Sequence, residues 1–295
     1  MANAIQTEKL TKYYLGKKVL GIKNLDLEVK EGEIFGFIGP NGAGKSTTIR
    51  LLLDLIRPTS GDGKIFGLDI NKDSVEIKKL IGYLPGEVFL PEHLSGRQSI
   101  EYYSKFKEKI DSDYLRSLIK KLDLDLNKKI KEYSKGNKQK LAIVLALMHK
   151  PKLLILDEPT SGLDPLNQQS FYNLILETKK WGTTTFFSTH ILTEAERICD
   201  RVGIIKSGKL LKIENIDQFK EKNIREIHLE TTGEIPLSHF QVNGIKKVER
   251  TTIGYKITTI GPNAMTLSKI LSNKIIDVKI SEPSLEEIFM KYYKE

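Results

Sequence analysis

The sequence predicts an α/β fold with a helical segment inserted into it and a small α+β module behind it. Three observations carry this. The apolar run Glu33-Ile34-Phe35-Gly36-Phe37-Ile38 leads into Gly39-Pro40-Asn41-Gly42-Ala43-Gly44-Lys45-Ser46, and Thr47 to Leu55 follows with helical spacing. Two further apolar runs, Lys152 to Asp157 and Thr184 to Ser188, alternate with helical stretches, which is the pattern of a parallel sheet. Beyond residue 215 the pattern changes to short strands in pairs.

The elements follow in order. Ile5 to Thr11 and Lys23 to Val29 read as early strands, the second alternating Leu25, Leu27 and Val29. Lys64-Ile65-Phe66 and Ile81-Gly82-Tyr83-Leu84 are short strands flanked by glycine and proline. From Ser99 to Lys150 the spacing is helical: Ile100, Tyr103 and Phe106 share one face, and Leu115, Leu118, Ile119 and Leu122 another. Leu166 to Lys180 and Glu194 to Cys199 read as helices, and Val202 to Ile205 with Leu210 to Ile213 as a hairpin. In the tail, Ile224 to Glu230 is a strand, and Lys246 to Thr251 and Tyr255 to Thr259 are a pair. Ala264 to Ser272 is a helix, Ile275 to Ile280 a strand and Ser284 to Tyr293 a closing helix, the order of a ferredoxin-like module. The expected domains are 1–215, with a helical subdomain at about 87–150, and 216–295.

Bulk composition narrows the function classes. With 39% apolar and 29% charged residues the chain is of ordinary globular type. The longest apolar run, Leu141 to Met148, is far short of the ~20 residues of a membrane helix, so the chain is not expected to form a channel or carrier by itself. The N-terminal residues carry no apolar secretory segment. Cys199 is the one cysteine, which excludes an internal disulfide or multi-cysteine zinc site and suits the cytosol. The net charge of +9 is spread over short clusters such as Lys128-Lys129-Ile130-Lys131, without aromatic–basic interleaving, so no nucleic-acid partner is expected.

The chemistry sits in five short motifs. Gly39 to Ser46 fits G-x-x-x-x-G-K-[ST], in which glycines turn backbone N–H groups inward and a helix N-terminus adds positive potential. Lys45 then reaches the β- and γ-phosphates and Ser46 ligates Mg²⁺. The strand Leu153 to Asp157 ends in two carboxylates. Asp157 is placed to hold Mg²⁺, and Glu158 to polarise an attacking water as general base. His190, after the strand Thr184 to Ser188, lies where it can hydrogen-bond a γ-phosphate or that water. Ser134 and Gly136 open a helix from Leu141 to Met148 and form a second anion site, which suggests service to another copy of the domain. Ser161-Gly162-Leu163-Asp164-Pro165 is the matching cross-subunit loop.

In this order the motifs resemble the ATP-binding cassette (ABC) nucleotide-binding subunit over about residues 4 to 215. The resemblance implies a P-loop NTPase fold with ATP and Mg²⁺ as ligands. It makes Gly39, Pro40, Asn41, Gly42, Ala43, Gly44, Lys45, Ser46 and Thr47 the Walker A segment, and Asp157 with Glu158 the Walker B segment. Ser134-Lys135-Gly136-Asn137 is then the signature, Asp164 lies in the D-loop and His190 is the switch histidine. Tyr14 takes the adenine-stacking position, with Tyr13 as its rival. Two positions depart from the family pattern. The signature reads Tyr133-Ser134-Lys135-Gly136-Asn137 rather than Leu-Ser-Gly-Gly-Gln. The Q-loop glutamine expected after Tyr83-Leu84-Pro85 is replaced by Gly86, then Glu87. Pro283 to Phe289 resembles the tail of cassettes serving ABC-2 exporters, including drug and antibiotic-peptide resistance systems.

The resemblance further implies an ATPase that dimerises, with itself or a homologous ATPase, and powers export by a separate transmembrane permease. It would be cytoplasmic and peripheral on the inner face of the cell membrane. The alternative is a non-transport cassette ATPase acting on ribosomes or nucleic acid, motivated by the basic charge.

Overall fold

The computed structural model describes residues 2–16, 18–107, 109–216, 224–260, 263–271 and 274–281. These form two units, Met1–Glu214 and Asn215–Glu295.

In the first unit a six-stranded sheet has the order β10-β9-β3-β8-β7-β6. Its strands are β3 (Ile34–Ile38), β6 (Ile81–Leu84), β7 (Leu153–Asp157), β8 (Thr184–Thr189), β9 (Arg201–Lys206) and β10 (Lys209–Asn215). Pairing is parallel from β6 to β7, β8, β3 and β9. Every residue of β3, β7 and β8 is buried, as strands covered on both faces must be. Phe186 of β8 stacks on Phe35 and tilts against Phe37 of β3, with ring centroids 6.0 and 5.3 Å apart.

The early strands build a separate antiparallel sheet. β1 (Asn3–Tyr14), β2 (Val19–Lys30), β4 (Ser60–Ile65) and β5 (Leu68–Asp69) run in the order β2-β1-β4-β5. Alternation along β2 buries Leu25, Leu27 and Val29 in a core shared with Phe35, Phe37 and Ile49. β4 starts earlier than the apolar signal, because pairing with β1 extends it over Ser60, Gly61, Asp62 and Gly63. Helix α1 (Lys45–Leu52) follows β3, and α2 (Ser74–Leu80) precedes β6.

The helical stretch resolves into α3 (Gly96–Ser104), α4 (Ser112–Lys121) and α5 (Lys135–Leu147), with α3 and α4 packed on α5. Ser95 and Gln98 form a reciprocal capping box at the start of α3, so Gln98 serves its own helix. α5 starts at Lys135, six residues before the apolar run at Leu141, because the Ser134 side chain accepts from Asn137 N and caps it. Helices α6 (Pro165–Lys180) and α7 (Leu192–Ile198) flank β8.

The second unit is a four-stranded antiparallel sheet of β11 (Ile224–Thr231), β12 (Ile245–Thr251), β13 (Gly254–Ile260) and β14 (Ile275–Ser281), in the order β12-β13-β11-β14. This is the strand order of a split βαβ unit. Helix α8 (Asn263–Ile270) fills one crossover, and the other carries only a 3₁₀ turn at Leu237–Phe240. Ile227, Leu229, Tyr255, Ile257, Phe240 and Ile270 form its core. The expected closing helix Ser284 to Tyr293, and the Pro283 to Phe289 motif in it, lie outside the described residues.

Candidate active site

The phosphate loop leaves the carboxyl end of β3, and β7 and β8 end beside it, so one sheet edge collects residues from three chain segments. Gly44 caps α1 at φ +113°. Gly39 N donates to Thr189 O at 3.3 Å, Ala43 N to Pro40 O at 3.1 Å and Gly208 N to Ala43 O at 2.8 Å, which pins the loop to β8 and to the β9–β10 turn. Lys45 is 5% exposed, and its Nζ donates to Gly39 O at 2.7 Å and to Pro40 O at 3.2 Å.

Two side chains then converge on one carboxylate oxygen of a third. Glu158 Oε1 lies 3.4 Å from Lys45 Nζ and 3.1 Å from His190 Nδ1. Lys45 comes from α1, Glu158 from the end of β7 and His190 from the end of β8. Glu158 occupies left-handed backbone at φ +47°, which for a residue with a side chain is strained. Its N–H donates to Ser188 O at 3.1 Å and its carbonyl accepts from Ser161 N at 3.2 Å. Asp157 is directly opposite Ser188 in the β7–β8 register, and Ser188 Oγ donates to Asp157 Oδ1 at 2.6 Å.

Two open clefts flank this edge. One, of about 250 Å³, is lined by Tyr14, Asn41, Gly42, Gly44, Ser46 and Thr47 among others. Tyr14 stands there with its hydroxyl 3.3 Å from Thr47 Oγ1, whereas the Tyr13 N–H bonds to Thr59 Oγ1 away from the loop. The other cleft, of about 510 Å³, brings Ser46, Glu87, Lys135, Asp157, Glu158 and Ser161 to one space. Gly86 lies against Asp157, where a Cβ would stand in ordinary contact at 3.6 Å from Oδ2. The Ser46 hydroxyl and the Asp157 carboxylate offer the oxygen donors a hard divalent cation takes, and among the described residues no cluster of three or more His, Cys, Asp or Glu forms a metal cage.

Ser134 caps α5 and Gly136 lies in its first turn. Gly136 faces the D-loop segment: a Cβ on it would stand 3.3 Å from Gly162 O. Asp164 caps α6, and the N–H and side chain of Asn167 hold its carboxyl below the usual range.

Sequence reasoning missed two residues here. Gln139 of α5 is 3% exposed and donates to Pro159 O at 2.7 Å, next to Glu158. Glu194, 5% exposed, accepts hydrogen bonds from Thr160, Tyr172 and Thr189. In sequence Glu194 looks like an exposed acid in the first turn of a helix, so no local signal marks it.

A phosphate loop, a carboxylate pair and a histidine on one parallel-sheet edge define a P-loop nucleotide hydrolase. The family profile described as ABC transporter matches residues 22–161. The bacitracin transport ATP-binding protein BcrA of Bacillus licheniformis is 36% identical over 302 residues, covering 99% of this chain and 97% of that protein. The uncharacterized ABC transporter ATP-binding protein YcbN of Bacillus subtilis is 32% identical, again over 99% of this chain and 97% of that protein. Among solved structures, an ATP-binding subunit of an ABC transporter superposes with a TM-score of 0.68 at 30% identity, covering 74% of this chain and 92% of that one. The dimeric bacterial ABC transporter cassette MJ0796 gives 0.66 at 26% identity, covering 72% and 98%. The same cassette has been solved as a post-hydrolysis dimer with ADP and Pi. The chain belongs to the ABC transporter ATP-binding family and is an ATPase cassette.

Proposed function

We propose that this ATPase powers export through a separate transmembrane permease, docked at the inner face of the cell membrane. The observation that carries the catalytic reading is the convergence of Lys45 and His190 on Glu158 Oε1 at 3.4 and 3.1 Å. Glu158 takes the proton of the attacking water. His190, 47% exposed, is free to hold that water or the γ-phosphate. Lys45 and the Gly39 to Thr47 backbone neutralise and orient the phosphates, and Tyr14 stacks on adenine. Ser46 and Asp157 would hold the Mg²⁺, which supplies charge neutralisation on the phosphates. Glu87, in the cleft beside them, takes the place of the usual glutamine.

Each ATP is completed by Ser134 and Gly136 of a second copy or of a homologous ATPase. The dimeric form of a related cassette supports this. The export assignment draws on the full-length likeness to a bacitracin transport ATP-binding protein. No helix among the described residues is long and apolar enough to cross a membrane, in keeping with a separate permease.

Glu158→Gln is expected to lose about 100-fold or more in phosphate release while still binding ATP. The tagged variant, drawn from its native membranes with ATP and Mg²⁺, should bring down a polytopic membrane protein. Recovery of ribosomes or nucleic acid without a membrane protein would overturn the transport reading.

A further inference from the structure

We propose that Glu194 is a positioning residue that fixes Glu158 and His190 relative to one another through two threonine hydroxyls. The inference rests on the reading of Glu158 as general base and His190 as its partner.

The hydroxyl of Thr160, two residues past Glu158, donates to Glu194 Oε1 at 2.5 Å. The hydroxyl of Thr189, the residue before His190, donates to Glu194 Oε2 at 2.6 Å. Thr189 Oγ1 also accepts from Ile191 N at 3.0 Å, so the backbone is tied on both sides of His190. Tyr172 of α6 donates its hydroxyl to Oε1 at 3.0 Å, and Arg197 covers the Tyr172 ring at 4.8 Å. Glu194 thus links the segment after β7, the end of β8 and α6 from a single buried point.

Burying a carboxylate is costly unless its oxygens are satisfied. The three hydroxyls satisfy it, but an uncharged core contact would fold as well. What the carboxylate alone supplies is two acceptor oxygens and no donor. Both threonine hydroxyls must therefore point their hydrogens inward, which fixes the two segments. The Glu158 backbone at φ +47° needs such support. Ser188 O holds its N–H, and Gln139 holds Pro159 O on the other side. Releasing Thr160 or Thr189 lets Glu158 relax or His190 drift, and a displacement of about 1 Å costs on the order of 100-fold in rate.

An amide at 194 offers one acceptor and one donor. Where the amide NH₂ faces Thr189, the Thr189 O–H has no acceptor left at residue 194 and the direction of that bond must reverse. The test uses the full chain with Glu194→Gln, Thr189→Val and Thr160→Val, and Thr189→Ser as the hydroxyl-retaining rescue. The expected result is a fall in kcat of about 10- to 100-fold in the first three, with ATP KM and equilibrium ATP binding within about twofold of the parent. An ATP-dependent dimer should accumulate, because arrest comes before hydrolysis, and Thr189→Ser should recover activity.

Parental turnover in Glu194→Gln and Thr189→Val, or ATP binding that falls in step with kcat, overturns the proposal. Glu158→Gln run in parallel separates the two levels. Full turnover there removes the general-base reading itself. An inactive Glu158→Gln beside a fully active Glu194→Gln removes only the positioning role.

Discussion

At the scale of single residues, the phosphate loop tolerates change very unevenly. Gly44 sits at φ +113°, and a Cβ on it would stand 2.8 Å from both Gly21 O and Ile22 Cγ2. Gly42 is also left-handed, at φ +78°, but a Cβ there meets nothing within 4 Å. Gly44→Ala is therefore expected to cost roughly 2–3 kcal/mol of stability and most of the ATP affinity, through strain and collision together. Gly42→Ala should cost only about 1 kcal/mol. Urea unfolding and equilibrium ATP binding on the two variants check the contrast. The loop residues Gly39 to Thr47 were legible in the sequence because the motif is contiguous and its spacing is fixed by backbone geometry. Gln139 and Glu194 were not, since their roles arise only when α5, α6, β7 and β8 are packed together.

Elements show the same division. Strands β3, β7 and β8 could be read from continuous apolar runs, and the Asp157 and His190 strand ends lie on one edge of a parallel sheet as their sequence context suggested. β4 was cut short because Ser60-Gly61-Asp62-Gly63 has turn composition, and only the partner strand makes it extended. α2 was missed because Ile77 is its sole buried residue, leaving no periodic stripe. The junction of α5 with β6 makes a prediction of its own. His149 Nε2 bonds to Ile81 O at 3.1 Å, and burial, with Lys107 beside it, pushes its pKa down to about 4. The unfolded chain protonates this residue near its ordinary value of about 6.5. Between those values the unfolded state binds the extra proton, so this contribution is whole above about pH 6.5 and lost as pH falls toward about 4. His149→Gln should flatten the fall in Tm across that window. An unchanged slope would mean that the site stays hydrated.

For the whole molecule, the two units carry separate cores, one around Phe35, Phe37 and Phe186 and one around Ile227, Tyr255 and Phe240. Two cores of different size are expected to melt as two transitions. The proposed site for ATP and Mg²⁺ lies in the first unit, so by mass action nucleotide should raise one transition and leave the other in place. Scanning calorimetry with and without nucleotide is the measurement, and a single transition that shifts as a whole would show the two units to be cooperative. The strand order β12-β13-β11-β14 gives the second unit its own hydrogen-bonded framework, independent of the parallel sheet.

The left-handed backbone at Glu158 has a consequence for how the chain drifts under mutation. Glycine suits that conformation better than glutamate, and this gain should offset part of the loss of the Lys45 and His190 contacts, so Glu158→Gly should stay close to the parent in stability while ending turnover. A library of this chain screened for soluble expression alone would let glycine spread at position 158, and one screened for ATP turnover would purge it. Selection on the reaction is then the main force that holds the residue in place.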